Sequence, residues 1–186
     1  MIKEWELVKS NIDRDYNVFK IKTVQAVSPR TNKTGQFYTI QTNDWVNIIP
    51  ITENQEIVMI KQYRHGSQEI TLEIPGGLVD DEHHREAALR ELLEETGYAG
   101  ETVHYLGAVN PNPAIFNNLC HTYLVDKVRK VSGKNLDPNE DIDVVHMPVS
   151  EVPSLIEKGI INHALVVVAF HFYFSKASRF LNINDR

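Results

Sequence analysis

One stretch constrains this chain more than any other: REAALRELLEETGY, residues 85–98. Ala87, Ala88, Leu89, Leu92 and Leu93 recur at helical spacing, and Gly97 is placed to stop the helix. Yet Glu91, Glu94 and Glu95 crowd its last turns. That end carries the negative pole of the helix dipole, where each carboxylate costs about 0.3–1 kcal/mol. Glu91 and Glu95 are also like charges one turn apart, on the same face. Arg90 is adjacent in sequence but is expected to point elsewhere, so it does not neutralise all three. A divalent cation would repair the electrostatics, and hard oxygen ligands favour Mg²⁺, Mn²⁺ or Ca²⁺. The competing reading is a solvated acidic face. What stands upstream weighs against it: in EIPGGLVDDE, Pro75 and two glycines feed the helix through a tight loop whose backbone can approach a ligand closely.

Around this helix the chain reads as strands first. Residues 5–10, 16–27, 36–42, 45–52 and 56–64 alternate or are β-rich, with TNKTG and ENQ as turns between them. Residues 65–82 read as a loop with one short extended piece, ITLEI. The helix is expected over 83–96, then strands at 101–109 and 119–130. NPNPAIFNN between those two is a loop by composition. An acidic loop, KNLDPNEDID, precedes a short strand, VVHMPV. Ser150 is expected to cap a helix ending at Gly159, and Asn162 to cap a last helix through about Lys176. Strands, helix, strands, helices suggest an α+β or sandwich-like domain, not a doubly wound parallel sheet.

Written out, the central pattern is Gly76, five residues, Glu82, seven residues, Arg90-Glu91-Leu92, one residue, Glu94-Glu95, one residue, Gly97-Tyr98. This resembles the Nudix box at every defined position. Counted from Gly77, the spacing to Glu82 is one residue short, and Gly76 restores it. The resemblance implies an α/β/α sandwich around a mixed sheet, residues 44–186, with residues 1–43 as an N-terminal antiparallel sheet extension. It implies Mg²⁺ or Mn²⁺ held by Glu91, Glu95, Glu94 and the carbonyl of Gly76. It also implies that Arg90 orients a glutamate by salt bridge, that Glu82 ties the loop to the helix, and that Leu92 and Tyr98 pack inward.

KQYRHG and Glu73-x-Pro75 look like elements of the ADP-ribose and nucleoside-diphosphate-sugar pyrophosphatase branch. That resemblance implies substrate contacts from Arg64, Glu73 and Pro113, although Asn-Pro-Ala stands where that branch usually has Ser-Pro-Gly. Glu140 matches the catalytic base, with Asp141 as runner-up, so the implied catalytic set is Glu140, Glu94 and Arg90. The expected reaction is hydrolysis of a nucleoside diphosphate sugar or ADP-ribose to a nucleoside monophosphate and a sugar phosphate. The alternatives are another linked diphosphate, such as a dinucleoside polyphosphate or an RNA 5′ end, and a non-catalytic nucleotide-binding module. The N-terminal strands resemble a dimerisation sheet, so a homodimer is expected.

Composition trims the alternatives. The net charge is −6, so a nucleic-acid partner is not expected. No apolar run is long enough to span a bilayer, and the N-terminus lacks a signal h-region. Cys120 is the only cysteine, so the natural expectation is a reducing, cytoplasmic setting. Among the histidines, His83 and His84 read as exposed first-turn residues and His171 as a packed helix residue.

Overall fold

The computed structural model describes residues 1–176; residues 177–186, the end of the expected 44–186 span, lie outside the described residues. Contacts group the chain into two compact units. One is Met1–Asp44 with Asn110–Leu119, and the other is Trp45–Val109 with the chain from Cys120 on.

The first unit is a three-stranded antiparallel sheet of β1 (Glu6–Asp15), β2 (Lys20–Val27) and β3 (Thr34–Gln41). β1 is longer than the expected 5–10. Residues 16–19 form the hairpin turn, where Tyr16 N–H donates to Phe19 O and Asn17 takes a positive φ of 65°. The segment 110–119 joins this sheet by bonding to the end of β3. Ile40 N–H donates to Ile115 O at 2.7 Å, and Thr42 N–H donates to Asn117 Oδ1 at 3.1 Å.

The second unit is built on a mixed sheet. Its strands are β4 (Trp45–Ile51), β5 (Glu56–Arg64), β6 (Glu69–Glu73), β7 (Gly76–Leu78), β9 (Thr102–Val109), β10 (Cys120–Asp126) and β12 (Ile142–Pro148). The short strands β8 (Tyr98–Ala99) and β11 (Arg129–Lys130) pair with each other. The main order is β12-β5-β4-β10-β9, with β4 and β10 parallel and the other pairs antiparallel. Helices α1 (His84–Thr96), α2 (Val152–Glu157) and α3 (Ala164–Lys176) complete it.

The alternation of strand side chains makes this a sandwich. Val46 and Ile48 of β4, Val58 of β5, and Tyr123 and Val125 of β10 pack with Ala87, Ala88 and Leu92 of α1. Ile49, Ile51, Ile57, Met59 and Leu124 face the other way, against Val152 of α2 and Val166, Ala169, Phe170 and Tyr173 of α3. Successive strand residues point to opposite faces, so one sheet supplies both cores. This is the α/β/α arrangement with a mixed sheet, and an N-terminal antiparallel sheet accompanies it.

Several local expectations change. Gly76–Leu78, read as loop, is the short strand β7, paired to β4 at Asn47↔Gly76 and Trp45↔Leu78. The reading failed there because glycines carry no side-chain pattern. The expected strand 119–130 is broken at Lys127, which has φ 54°. Ser150 caps nothing: a 3-10 turn over Val149–Glu151 leads straight into α2 without a side-chain cap. α3 begins at Ala164, with buried residues at helical spacing, and leaves His171 exposed rather than packed. Leu93 is also largely exposed, and Glu95 takes a buried place on α1 instead. His84 is half-buried, its ring stacked on His121 at 4.1 Å and its Nδ1 bonded to the Tyr123 hydroxyl.

The sheet has one opening that matters. β4 and β5 pair only at Ile51↔Ile57. Beyond that point β6 continues on β5, β7 continues on β4, and Ile48 N–H donates to Pro75 O at 2.9 Å. The segment Glu73–Gly77 therefore crosses from one strand to the other, and α1 packs against its far end.

Candidate active site

Helix α1 is bounded as its residues dictate. His83 accepts Arg85 N–H at its Nδ1 (3.2 Å), and Gly97 closes the other end with φ 70°, donating its N–H to Leu93 O. A cation serves the crowded negative end: Lys130 Nζ donates to Thr96 O at 2.6 Å.

Two of the three glutamates, Glu91 and Glu95, meet the glycine loop. Gly76 N–H donates to Glu95 Oε2 at 3.0 Å. A Cβ on Gly77 would lie 2.2 Å from Glu91 Oε1, and one on Gly76 would lie 2.2 Å from Val46 O. Both glycines are therefore needed, one to clear a carboxylate and one to clear the neighbouring strand. Glu95 is 3% exposed; burial pushes its carboxyl up to about 8, against the single Gly76 hydrogen bond that favours the charged form. Burial pushes Glu91 up to about 6, with Arg90 opposing it.

Arg90 does not point elsewhere. Its Nε donates to Glu82 Oε1 at 2.8 Å, its Nη1 to Glu91 Oε1 at 3.0 Å and to Glu94 Oε2 at 2.9 Å, and its Nη2 to Leu78 O. One guanidinium thus ties the loop to the helix and sits between two of the three carboxylates. The long stem of Arg90 lets its head reach back over the turn, which adjacency in sequence does not reveal. Arg90 makes no hydrogen bond to Glu95, whose burial favours the protonated carboxyl until a cation takes the proton's place.

Among the described residues no three His, Cys, Asp or Glu side chains are already gathered as metal ligands. The donor set nonetheless suits a hard divalent cation. The carboxylates of the buried Glu95 and the partly buried Glu91 lie one helical turn apart, against a backbone that has no Cβ in the way. Glu94 is the third oxygen donor on that edge, bound for now to Arg90.

Two of the three residues expected to touch substrate, Arg64 and Glu73, hold each other. Arg64 Nε donates to Glu73 Oε1 at 2.8 Å, and its Nη2 donates to Glu73 Oε2 at 2.7 Å. Thr71 Oγ1 adds a hydrogen bond of 2.6 Å. Burial alone would raise the Glu73 carboxyl; Arg64 and Thr71 outweigh it and hold it below the usual range. The Arg64 side chain is still 44% exposed, so this is a buried acid aiming a half-open cation. The sequence reading missed Thr71. It also missed His163, whose ring feels both Glu73 and Arg64, whose Nδ1 is buried without a hydrogen-bond partner, and whose proton affinity is lowered by burial. No local pattern flags either residue; only the packing of α3 against the sheet brings His163 near.

Glu140 lies in the loop between β11 and β12, and its charge is felt at Glu91, Glu95 and Arg64. Asp141 follows it, exposed. Pro113 is an exposed residue of the first unit, within the segment Asn110–Leu119.

The NUDIX domain family model matches residues 42–169. A methanol dehydrogenase activator of Bacillus methanolicus is 32% identical over 68% of this chain and 70% of its own length. An ADP-ribose pyrophosphatase of Bacillus subtilis is 27% identical over the same shares. An ADP-sugar pyrophosphatase of Mus musculus is 35% identical over 51% of this chain and 48% of its own. A solved structure described as an ADP compounds hydrolase superposes with a TM-score of 0.85 at 21% identity, covering 97% of this chain and 98% of that one; the likeness is one of fold.

Proposed function

The chain belongs to the NUDIX domain family, and from that premise we propose that it hydrolyses the diphosphate of ADP-ribose or a nucleoside diphosphate sugar, using Mg²⁺ or Mn²⁺. A Nudix pyrophosphatase is the enzyme class of this chain. The observation that carries the reading is the edge of α1, where the buried Glu95 and the partly buried Glu91 meet Gly76 and Gly77, and Glu95 makes its hydrogen bond to a backbone N–H.

Glu91, Glu94, Glu95 and the Gly76 carbonyl would hold the cation, which neutralises diphosphate charge and lowers the pKa of a bound water. Arg90 keeps Glu91 and Glu94 oriented from behind. Arg64, steered by Glu73, offers its exposed side to the anionic substrate. Glu140 takes the proton as water oxygen attacks phosphorus; the bond to the bridging oxygen breaks, and two phosphate monoesters leave. Pro113 is proposed to shape the substrate loop.

Residues 1–43 are proposed as a dimerisation arm of a hydrolase domain spanning 44–186. Trp5, Leu7, Val8, Ile12 and Phe37 are all substantially exposed on that sheet, a surface suited to a second copy of the chain. No described helix is long and apolar enough to cross a membrane. We place the protein in the cytoplasm, where the buried thiol of Cys120 stays reduced.

The test is purified protein with Mg²⁺ or Mn²⁺ against ADP-ribose, GDP-mannose, UDP-glucose and a capped RNA, with products resolved by chromatography. Metal-dependent nucleoside monophosphate from a sugar substrate is expected; turnover of the RNA alone would move the assignment to another linked diphosphate. The relative named as a dehydrogenase activator favours a second reading, a regulatory nucleotide-binding module. Ligand binding without turnover in either metal would support it.

A further inference from the structure

The loop that carries Glu140 is fastened at both ends. At its start, Val131 and Ser132 N–H donate to Gly97 O at 2.9 and 3.2 Å, and Asn135 N–H donates to Glu94 O at 2.8 Å. The loop thus springs from the C-terminal end of α1, the end that bears the glutamates. At its finish, Lys134 Nζ donates to the carbonyl of Ile142, the first residue of β12. Ile142 is fully buried and paired with Gln62 of β5. One ammonium therefore joins the anchored start of the loop to the edge of the sheet.

Inside the loop a reciprocal turn sets the direction of the carboxylate. Glu140 N–H donates to Asp137 O at 2.9 Å, and Asp137 N–H donates back to Glu140 Oε2 at 3.1 Å. Once the carboxylate is fixed relative to the loop, the placement of the loop decides where it stands relative to Glu91 and Glu95. Without a cross-link, the residues between Asn135 and Ile142 would be free to move as a surface loop. A charge-assisted hydrogen bond is stronger than a neutral one, and this one closes the loop at its neck.

We propose that Lys134 is a positioning residue for the hydrolytic step: by clamping the Ile142 carbonyl to the start of the loop, it holds the Glu140 carboxylate at the glutamate edge of α1. This rests on the reading of Glu140 as the base. With its ammonium spent on the Ile142 carbonyl, Lys134 acts on the rate through Glu140 and not on substrate binding.

The test compares Lys134→Met, which keeps most of the stem and loses the ammonium, with Lys134→Arg, which keeps the charge. With ADP-ribose and Mn²⁺, Lys134→Met is expected to lower kcat about tenfold with KM unchanged, as a small misplacement of a catalytic group does. Lys134→Arg is expected to recover most of that loss. In the Glu140→Gln background, Lys134→Met is expected to have no further effect. A wild-type kcat in Lys134→Met overturns the proposal, as does an undiminished loss in the Glu140→Gln background. Wild-type turnover by Glu140→Gln itself fails the base reading, and the proposal with it, separately from any result at Lys134. Amide hydrogen exchange over residues 135–141 reads the clamp without any substrate. Faster exchange there in Lys134→Met, with α1 unchanged, is expected, and unchanged exchange overturns the clamp.

Discussion

At the scale of single residues, the site is governed by how few partners its acids have. Glu95 is buried with one backbone hydrogen bond, and Glu91 shares Arg90 with Glu82 and Glu94. Both carboxyls titrate above their ordinary 4.5, Glu91 near 6 and Glu95 near 8. The folded state thus holds more protons than the unfolded chain between those values. Its metal-free stability is highest below about 4.5 as far as these groups are concerned, and falls as pH rises through about 6 and about 8. The melting temperature in a chelator is expected to drop between pH 5.5 and 8.5, and Mg²⁺ or Mn²⁺ is expected to restore it at the alkaline end. Thermal scans at both pH values, with and without metal, check this; a flat profile would remove these two groups as the source. Glu95→Gln removes the buried charge. It is expected to cut kcat/KM about a hundredfold or more, while raising the chelator melting temperature at pH 8.5. Arg64→Ala leaves Glu73 buried without its partner. The expected cost is about 1–3 kcal/mol, kept low because the Arg64 side chain is half exposed. Arg64→Lys cannot restore the paired geometry. Denaturant unfolding of both variants measures the difference.

At the scale of elements, the crossing segment Glu73–Gly77 and the helix α1 are one device. β6 and β7 share a path between the splayed strands β4 and β5, and their junction presents a backbone N–H to Glu95 and bare glycine to Glu91. Gly77→Ala would place a methyl carbon 2.2 Å from Glu91 Oε1. The carboxylate would have to turn away and the helix edge would lose its arrangement. The expected outcome is loss of metal-dependent turnover with weakened metal binding by calorimetry, while the far-UV spectrum stays native. The helix was legible because everything that makes it lies within one local stretch: the apolar spacing, the stop at Gly97 and the fixed interval back to Gly76. β7 was not legible, because two glycines and a leucine bear no strand pattern, and pairing with β4 alone makes them a strand. The cap at Ser150 failed for a similar reason, since a tight turn carried the chain directly into α2.

At the scale of the whole molecule, stability of the second unit rests on one sheet feeding two cores. Phe170 of α3 is fully buried in the core opposite α1. Phe170→Ala is expected to cost about 3–5 kcal/mol, seen as a lower urea midpoint, with KM for substrate unchanged in the protein that remains folded. The glutamate edge lies on the other face, so a loss confined to stability is the expected result.

What the sequence determined by itself is the chemistry. Side-chain types at fixed intervals along one helix already specify hard oxygen donors, a guanidinium, and a glycine approach, because helical geometry turns spacing into adjacency. The alternating strands likewise announced a mixed α+β architecture with an extra N-terminal sheet. What only the tertiary structure decided is which side chains pair beyond the reach of helix and strand periodicity. The Arg64–Glu73 clamp, the reach of Arg90 back to Glu82 and the Leu78 carbonyl, and the Lys134 clasp on Ile142 join different elements or loops. So does the burial that raises Glu95. Such contacts depend on the sheet register and on which face each helix covers, and no local periodicity encodes either.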